Sequence, residues 1–430
     1  MKKACILTLG CKVNQYESEA LAQMLMKKNY EVTHEFCKSD VYIINTCSVT
    51  NVSDRKSRQL IRKCMHFNND PIIAVTGCYS QAKPEEVSNI EGVDIVVGTD
   101  NKTQLIDLIE KEFSKREKII SVEKDNISNS FDFEPLKSYV EKTRAFIKIQ
   151  DGCNSFCSYC IIPYVRGRCR SRDKDEILKE VKMLAQNGYK EIVLSGIHVS
   201  NYGIDTENMT FAKLLLMIEE VEGIERIRLS SVEPLAFNEE YFEVFKKSKK
   251  ICPHFHISLQ SGSDTVIKRM NRHYDTAFFE NAVKRLREIN PLTSVTTDVI
   301  AGFPEETDEE FNETLHFIEK IRFLKVHTFK YSRRDGTKAS EMKNQVPESI
   351  KDISSKKVIE LSDKIEKEVI NSLKGKTLSV LFEEEKGGLW HGISDNYISV
   401  YAQSEENLKG KIKNVLIKEV DNLSAHGIIV

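Results

Sequence analysis

Apolar and polar positions alternate along the first hundred residues so as to predict short strands separated by helices. "ACILTLG" is followed by "ESEALAQMLMKKN", whose apolar positions recur at helical spacing. "DVYIINT" precedes a polar helical stretch from Ser53, "PIIAVTG" precedes a segment opening "SQAKPEEV", and "VDIVVGT" leads into "KTQLIDLIEKEF". Short apolar runs rich in β-branched residues, each followed by a helix, are the pattern of a parallel α/β sheet. From about Ser114 to Ser138 the chain is charged and polar with little periodicity, which predicts a linker.

The alternation resumes from Thr143. "RAFIKIQ", "EIVLSGIHV", "RIRLSSVEP", "HFHISLQSG", "SVTTDVIAGFP" and "KVHTFKYSRRDG" read as six strands, separated by helices such as "DEILKEVKMLAQNG" and "AFFENAVKRLREIN". Six β/α units in a row predict an open or partial (β/α)6 barrel. The charged helix "SSKKVIELSDKIEKEVINSL" closes this region. Beyond it, short strand-like pieces with glycine turns, "KTLSVLFEEEKGGLWHGISDNYISVYA", predict a small all-β barrel. The expected organisation is therefore α/β with an appended β-barrel: a first domain over 1–115, a linker over 116–138, a barrel core over 139–370 and a terminal domain over 371–430.

A length of 430 residues is too great for one ordinary core and agrees with several domains. No apolar stretch is long enough to span a membrane, and the opening "MKKACILTLGCKVN" lacks the long apolar centre and cleavage site of a signal peptide. A cytoplasmic, reducing setting is expected, where eleven cysteines, an odd number, do not serve as disulfides. The formal charge of −2 gives no overall sign of nucleic-acid binding. Its distribution says more: "RGRCRSR" places four arginines within seven residues, a run suited to phosphates, beside a cysteine motif.

That motif is "DGCNSFCSYC", a CxxxCxxC pattern of Cys153, Cys157 and Cys160 directly after the first strand of the barrel core. Three thiolates on one short loop can grip three corners of an iron–sulfur cube and leave the fourth iron open. Spacing alone also permits zinc or a merely packed loop. Cys11, Cys47 and Cys78 form a second set. Each lies immediately beyond the carboxyl end of an expected parallel strand, the edge at which open α/β sheets gather their ligands. Parallel strands bring those ends to one side, so three thiols distant in sequence can converge on a second cluster. Cys5, Cys37, Cys64, Cys169 and Cys252 read as unligated thiols.

The CxxxCxxC loop, with Tyr159 before its last cysteine, resembles the radical S-adenosylmethionine signature. Together "LGCKVNQYESEA", "NTCSVT", "TGCYSQ" and "DGCNSFCSYCIIPYVRGRCRSR" resemble the methylthiotransferases over essentially the whole chain. The resemblance implies an N-terminal cluster domain, a radical S-adenosylmethionine core and a C-terminal TRAM domain. It implies two 4Fe-4S clusters, an auxiliary one on Cys11, Cys47 and Cys78 and a radical-generating one on Cys153, Cys157 and Cys160. One S-adenosylmethionine would supply a methyl group and a second the 5′-deoxyadenosyl radical. By position, Ser195, Gly196, Glu233, Gln260, Asp298 and Gly302 would lie along bound S-adenosylmethionine, and Arg166, Arg168 and Arg170 would grip RNA phosphate or the substrate's carboxylate. Implied partners are tRNA, a flavodoxin- or ferredoxin-type electron donor and a sulfur donor.

"GCKVNQYES", "RLSSVEP", "SLQSGSD" and "YSRRDGT" resemble the bacterial members that act on threonylcarbamoyladenosine in tRNA. Isopentenyladenosine-directed members read more like GCQMN at the first motif, and those directed at a ribosomal-protein aspartate more like GCPKN. A non-catalytic iron–sulfur protein that binds RNA or senses redox state is the alternative of another class. The terminal barrel carries "EEE" at Glu383 to Glu385 and no basic excess, so RNA binding there would rest on a local stripe with aromatics such as Trp390 or Tyr397.

Overall fold

The computed structural model describes all residues except 69, 101, 116, 124–130, 132–134, 140–142 and 422. It divides into two compact units. The first comprises residues 1–140, 148–177 and 332–340; the second comprises 141–147, 178–331 and 341–430.

The first unit is built on a six-stranded sheet in the spatial order Glu31–Thr33, Lys3–Thr8, Val41–Thr46, Ile72–Gly77, Ile95–Val97, Ile119–Ser121. Every pairing is parallel, with Leu7 opposite Ile44 and Ile43 opposite Ala74. Successive side chains leave opposite faces of a strand, so alternate residues feed two cores. Ala4, Ile6, Ile43, Ala74 and Ile95 meet Leu21, Leu25 and Ile109 on one face. Cys5, Leu7, Ile44, Ile73 and Val75 meet Ile61, Cys64 and Tyr79 on the other. Burial on both faces is why these strands read as unbroken apolar runs. The helix Asn51–Met65 starts where Thr50 Oγ1 accepts the Ser53 N–H at 3.2 Å, and Asp54 lies in its first turn.

Two features differ from the sequence pattern. Ile119–Ser121, inside the expected linker, is the sixth strand of the sheet and pairs with Ile95–Val97. Its three residues are flanked by charges, too short a run to show a period. Much of the remaining linker segment lies outside the described residues. Residues 148–177 and 332–340, expected within the barrel core, belong to the first compact unit. The hydrogen bonds explain this: Thr99 Oγ1 donates to Val165 O at 2.7 Å, and Arg334 donates to Ser48 O at 2.6 Å.

The second unit contains the β/α array. One sheet runs Arg226–Leu229, Glu191–Ser195, Arg144–Lys148 and the next runs Ser231–Val232, His254–Ile257, Ser294–Ala301, Lys325–Lys330. The third strand breaks at Ser230, which divides six expected strand positions between two sheets. The described registers are parallel, among them Ile192 opposite Ile227 and Thr297 opposite Val326. The helix Asp308–Ile321 opens with a capping box between Thr307 and Glu310. Five strands between Thr377 and Ile429 close the small barrel, and bulges at Phe382/Glu384 and Ile417/Glu419 supply local bends. Its interior is Leu378, Val380, Phe382, Trp390, Val400, Val415 and Ile417. Among the described residues no helix is long and apolar enough to cross a membrane.

Candidate functional site

In the first unit, Cys11, Cys47 and Cys78 each follow the carboxyl end of a neighbouring parallel strand: Lys3–Thr8, Val41–Thr46 and Ile72–Gly77. They converge. Gly10, with a φ of +102°, packs so tightly that a Cβ there would stand 2.7 Å from Cys47 Cβ and 3.0 Å from its Sγ. Burial pushes the Cys47 thiol up to about 11, and the nearby sulfurs of Cys78 and Cys11 add to the shift. Cys11 keeps surface open to solvent, yet the protein packed around its sulfur raises its pKa, opposed by Arg166 and reinforced by Cys78.

The other set lies on a tightly held loop. Cys157 is buried, and Cys153 and Cys160 are partly exposed. The Cys153 N–H donates to Gly167 O at 3.1 Å, the Ser155 N–H to Cys153 Sγ at 3.4 Å, and the Cys160 N–H to Cys157 O at 3.0 Å. Gly152, at a φ of +69°, permits the loop to close against the following segment: a Cβ there would lie 1.8 Å from the Arg168 carbonyl oxygen. Among the described residues, no three His, Cys, Asp or Glu side chains are arranged to hold a single metal ion. A cube spreads its thiolates over different irons, and a backbone N–H aimed at a sulfur is a usual feature of such sites. Both cysteine sets fit that group in their donor chemistry.

Beside the N-terminal set lies a buried charge cluster. Arg166, fully enclosed, donates from Nη1 to Glu17 Oε1 at 2.9 Å and to Asp151 Oδ2 at 3.2 Å, and from Nη2 to Asn14 Oδ1 at 2.6 Å. Its Nε–H points at Cys78 Sγ, 3.4 Å away. Lys148 bridges Glu17 (2.8 Å) and Asp151 (2.6 Å), Lys102 also pairs with Glu17, and Arg170 reaches Asp151 (3.3 Å) and Asp100 (3.9 Å). Burial alone would raise the Glu17 carboxyl, but Arg166, Lys102 and Lys148 outweigh it and hold the group well below the usual carboxylate range. Among the described residues, four cations here face three carboxylates, an excess of one positive charge next to the thiols. A cube held by three thiolates is an anion, so the local field suits it.

This corrects the expectation for two arginines. Arg166 and Arg170 are buried and occupied by carboxylates and backbone, so they do not present themselves to RNA phosphate; Arg168 is exposed, with its guanidinium 4.8 Å from the Phe156 ring centre. Sequence reasoning missed Asn14, Glu17, Lys102, Lys148 and Asp151. Asn14, Glu17, Ser18 and Leu21 recur at helical spacing and are all buried, so three polar residues on a buried helix face were the available signal. Asn14 Nδ2 donates to Leu9 O (2.8 Å) and Thr46 O (3.0 Å), tying together the strand ends that carry Cys11 and Cys47.

The six residues expected along S-adenosylmethionine lie in the second unit, five at or just past strand ends and Asp298 inside the strand Ser294–Ala301. Ser195 is buried and its Oγ donates to Ile147 O at 3.1 Å; Gly196 follows it, partly exposed. Glu233 pairs with Arg272. Gln260 takes a φ of +68°, its N–H donating to Asp298 O at 2.8 Å, while the Asp298 carboxylate meets His256 Nε2 at 3.1 Å. Gly302 donates its N–H to Glu306 Oε2 at 2.7 Å and lies against the stem of Lys351. In the barrel, Trp390 is part of the core and not a surface for stacking, which corrects that expectation; Tyr397 is exposed at its edge and stacks on His254 with centres 4.3 Å apart. Cys5, Cys64 and Cys252 are packed in the interior: burial pushes Cys5 to about 11 and Cys64 and Cys252 to about 12.

Residues 147–318 match the Radical SAM superfamily, and residues 3–98 match Uncharacterized protein family UPF0004. A solved radical S-adenosylmethionine methyltransferase, TsrM from Kitasatospora setae, superimposes with a TM-score of 0.57 over 91% of this chain and 80% of its own, at 13% identity, a likeness of fold. The β/α array and the CxxxCxxC loop thus define a radical S-adenosylmethionine enzyme, whose cofactors are S-adenosylmethionine and 4Fe-4S iron–sulfur chemistry. The threonylcarbamoyladenosine tRNA methylthiotransferase MtaB of Bacillus subtilis is 44% identical over 95% of this chain and 92% of its own length. The tRNA-2-methylthio-N(6)-dimethylallyladenosine synthase of Acetivibrio thermocellus is 35% identical over 100% of this chain and 91% of its own. The chain belongs to the radical S-adenosylmethionine methylthiotransferase family, and its sequence is most like the threonylcarbamoyladenosine branch.

Proposed function

We propose that this enzyme methylthiolates carbon 2 of N6-threonylcarbamoyladenosine at position 37 of tRNA, using two molecules of S-adenosylmethionine and two 4Fe-4S clusters. Cys11, Cys47 and Cys78 would hold the auxiliary cluster, and Cys153, Cys157 and Cys160 the radical-generating one. The supporting observation is the convergence of the first three thiols at one sheet edge, beside a buried excess of positive charge. When bound, the auxiliary cluster would supply a site for the sulfur to be transferred, and the other cluster the electron that cleaves S-adenosylmethionine.

The chain's own residues would do the rest. Ser195, Gly196, Glu233, Gln260, Asp298 and Gly302 would bind S-adenosylmethionine through strand-end backbone and carboxylates. Arg168, exposed, would meet RNA phosphate. A cytoplasmic setting would supply tRNA, a flavodoxin- or ferredoxin-type electron donor and a sulfur donor. The threonylcarbamoyl substrate is favoured over the isopentenyl one by the higher identity to the relative named for it. Mass spectrometry of tRNA nucleosides from a strain lacking this gene should show loss of 2-methylthio-threonylcarbamoyladenosine; an unchanged level overturns the substrate. Iron analysis of Cys11→Ala and Cys157→Ala should each show loss of one cluster with the other spared.

A further inference from the structure

Arg166 belongs to the segment that follows the CxxxCxxC loop, yet its side chain ends at the other cysteine set. The neighbouring carbonyl, Gly167 O, accepts the Cys153 N–H at 3.1 Å, while Arg166 Nε donates to Cys78 Sγ at 3.4 Å. Two adjacent residues, one through its side chain and the next through its carbonyl, therefore touch both sets. The remaining guanidinium donors are fixed by Glu17, Asp151 and Asn14, at 2.6 to 3.3 Å. With both terminal nitrogens held, the Nε–H has one direction left to point, and that direction is the Cys78 sulfur.

We propose that Arg166 is a positioning residue that fixes the Cys78 sulfur and sets the reduction potential of the N-terminal cluster. The inference rests on the ligand assignment proposed above. A cluster gains negative charge on reduction, and hydrogen bonds to its sulfurs are among the features that set its potential. A donated N–H and an enclosed cation both favour the reduced form. In a buried setting this interaction is screened far less than in water. Lysine cannot reproduce it, because an ammonium lacks the planar fork that Glu17, Asp151 and Asn14 hold. Arg170 lies in the same charge cluster with its guanidinium turned to Asp100, Asp151 and the Arg166 carbonyl, and so provides a control.

The test uses the full chain carrying Cys153→Ala, Cys157→Ala and Cys160→Ala, which leaves only the N-terminal set. After anaerobic reconstitution, iron and sulfide are counted and the potential is read by electron paramagnetic resonance during a redox titration. Arg166→Gln should keep the cluster and lower the reduced-to-oxidised ratio at fixed potential about tenfold, equivalent to about 59 mV for a one-electron couple. Arg166→Lys should recover part of that shift, and Arg170→Gln should change the potential much less. Should circular dichroism show that Arg166→Gln does not fold, Arg166→Lys, which keeps a cation among the carboxylates but lacks the Nε–H donor, carries the reading as a smaller shift in the same direction. An unchanged potential with the cluster present, or an equal shift in Arg170→Gln, overturns the inference. A parent variant without iron overturns the ligand assignment and the inference with it.

Discussion

Replacing Arg334 with Met would leave the Asp54 carboxylate enclosed without its cation. Arg334 is 5% exposed and Asp54 3%, and the guanidinium forks onto the carboxylate with Nη1–Oδ2 at 2.7 Å and Nη2–Oδ1 at 3.2 Å. Two unit charges about 3 Å apart attract by about 5 kcal/mol at an effective dielectric constant of ~20. Removing one partner of a buried pair typically costs about 3–5 kcal/mol, in line with that figure. Arg334→Met should therefore destabilise the helix Asn51–Met65 by about 4 kcal/mol, an increase of roughly 1,000-fold in the exchange of its protected amides. Native-state hydrogen exchange read by mass spectrometry measures this directly. Asp54→Leu combined with Arg334→Met removes both charges and should recover most of the loss. A residue of about 1–3 kcal/mol should remain, because the Ser48 carbonyl loses its 2.6 Å donor. Less than a tenfold change in the single variant, or a double variant no better than the single, would refute the reasoning. Ser48 follows Cys47, so the same exchange data report on the segment carrying that thiol.

Burial pushes the Glu306 carboxyl up to about 7, against the Gly302 N–H and Arg269, which favour its ionised form. A folded-state pKa above the unfolded one means that stability is fully present below about 4.5 and is lost as pH rises through about 7. Glu306→Gln should match the parent at pH 4 and exceed it by about 1–3 kcal/mol at pH 8.5, discounted for partial solvent access; a melting-temperature difference that does not grow with pH would contradict this. Gly152→Ala places a Cβ 1.8 Å from the Arg168 carbonyl oxygen, so iron analysis should show loss of the cluster assigned to Cys153, Cys157 and Cys160 with the other retained. Trp390 is the one tryptophan and lies in the barrel core. Its emission should resist quenching by iodide and by added tRNA, whereas strong quenching by tRNA would place the ring at the RNA surface.

The strands and the two cysteine sets were legible because each is a local pattern. An apolar run ending in a thiol recurs three times, and CxxxCxxC occupies eight consecutive residues. Ile119–Ser121 escaped notice because three residues among charges have no period to detect. Glu17 and Arg166 were illegible for another reason: a lone charge on a helix or loop looks the same whether solvent or a buried partner meets it. Their partners lie 149 positions apart. Trp390 stands between Leu389 and His391, so the local pattern does not say which face it takes, and only closure of the five strands tells which face is inside.

The spacing of the two cysteine sets also fixes an order of events. Cys153, Cys157 and Cys160 are joined by a short local loop, so they can be gathered as soon as that stretch leaves the ribosome. Cys11, Cys47 and Cys78 come together only when three parallel strands have paired, with Leu7 beside Ile44 and Ile44 beside Val75. Parallel pairing closes long loops and is slow by comparison with local turns. Iron delivered during synthesis would thus find one set of thiols gathered and the other still dispersed until these three strands have paired.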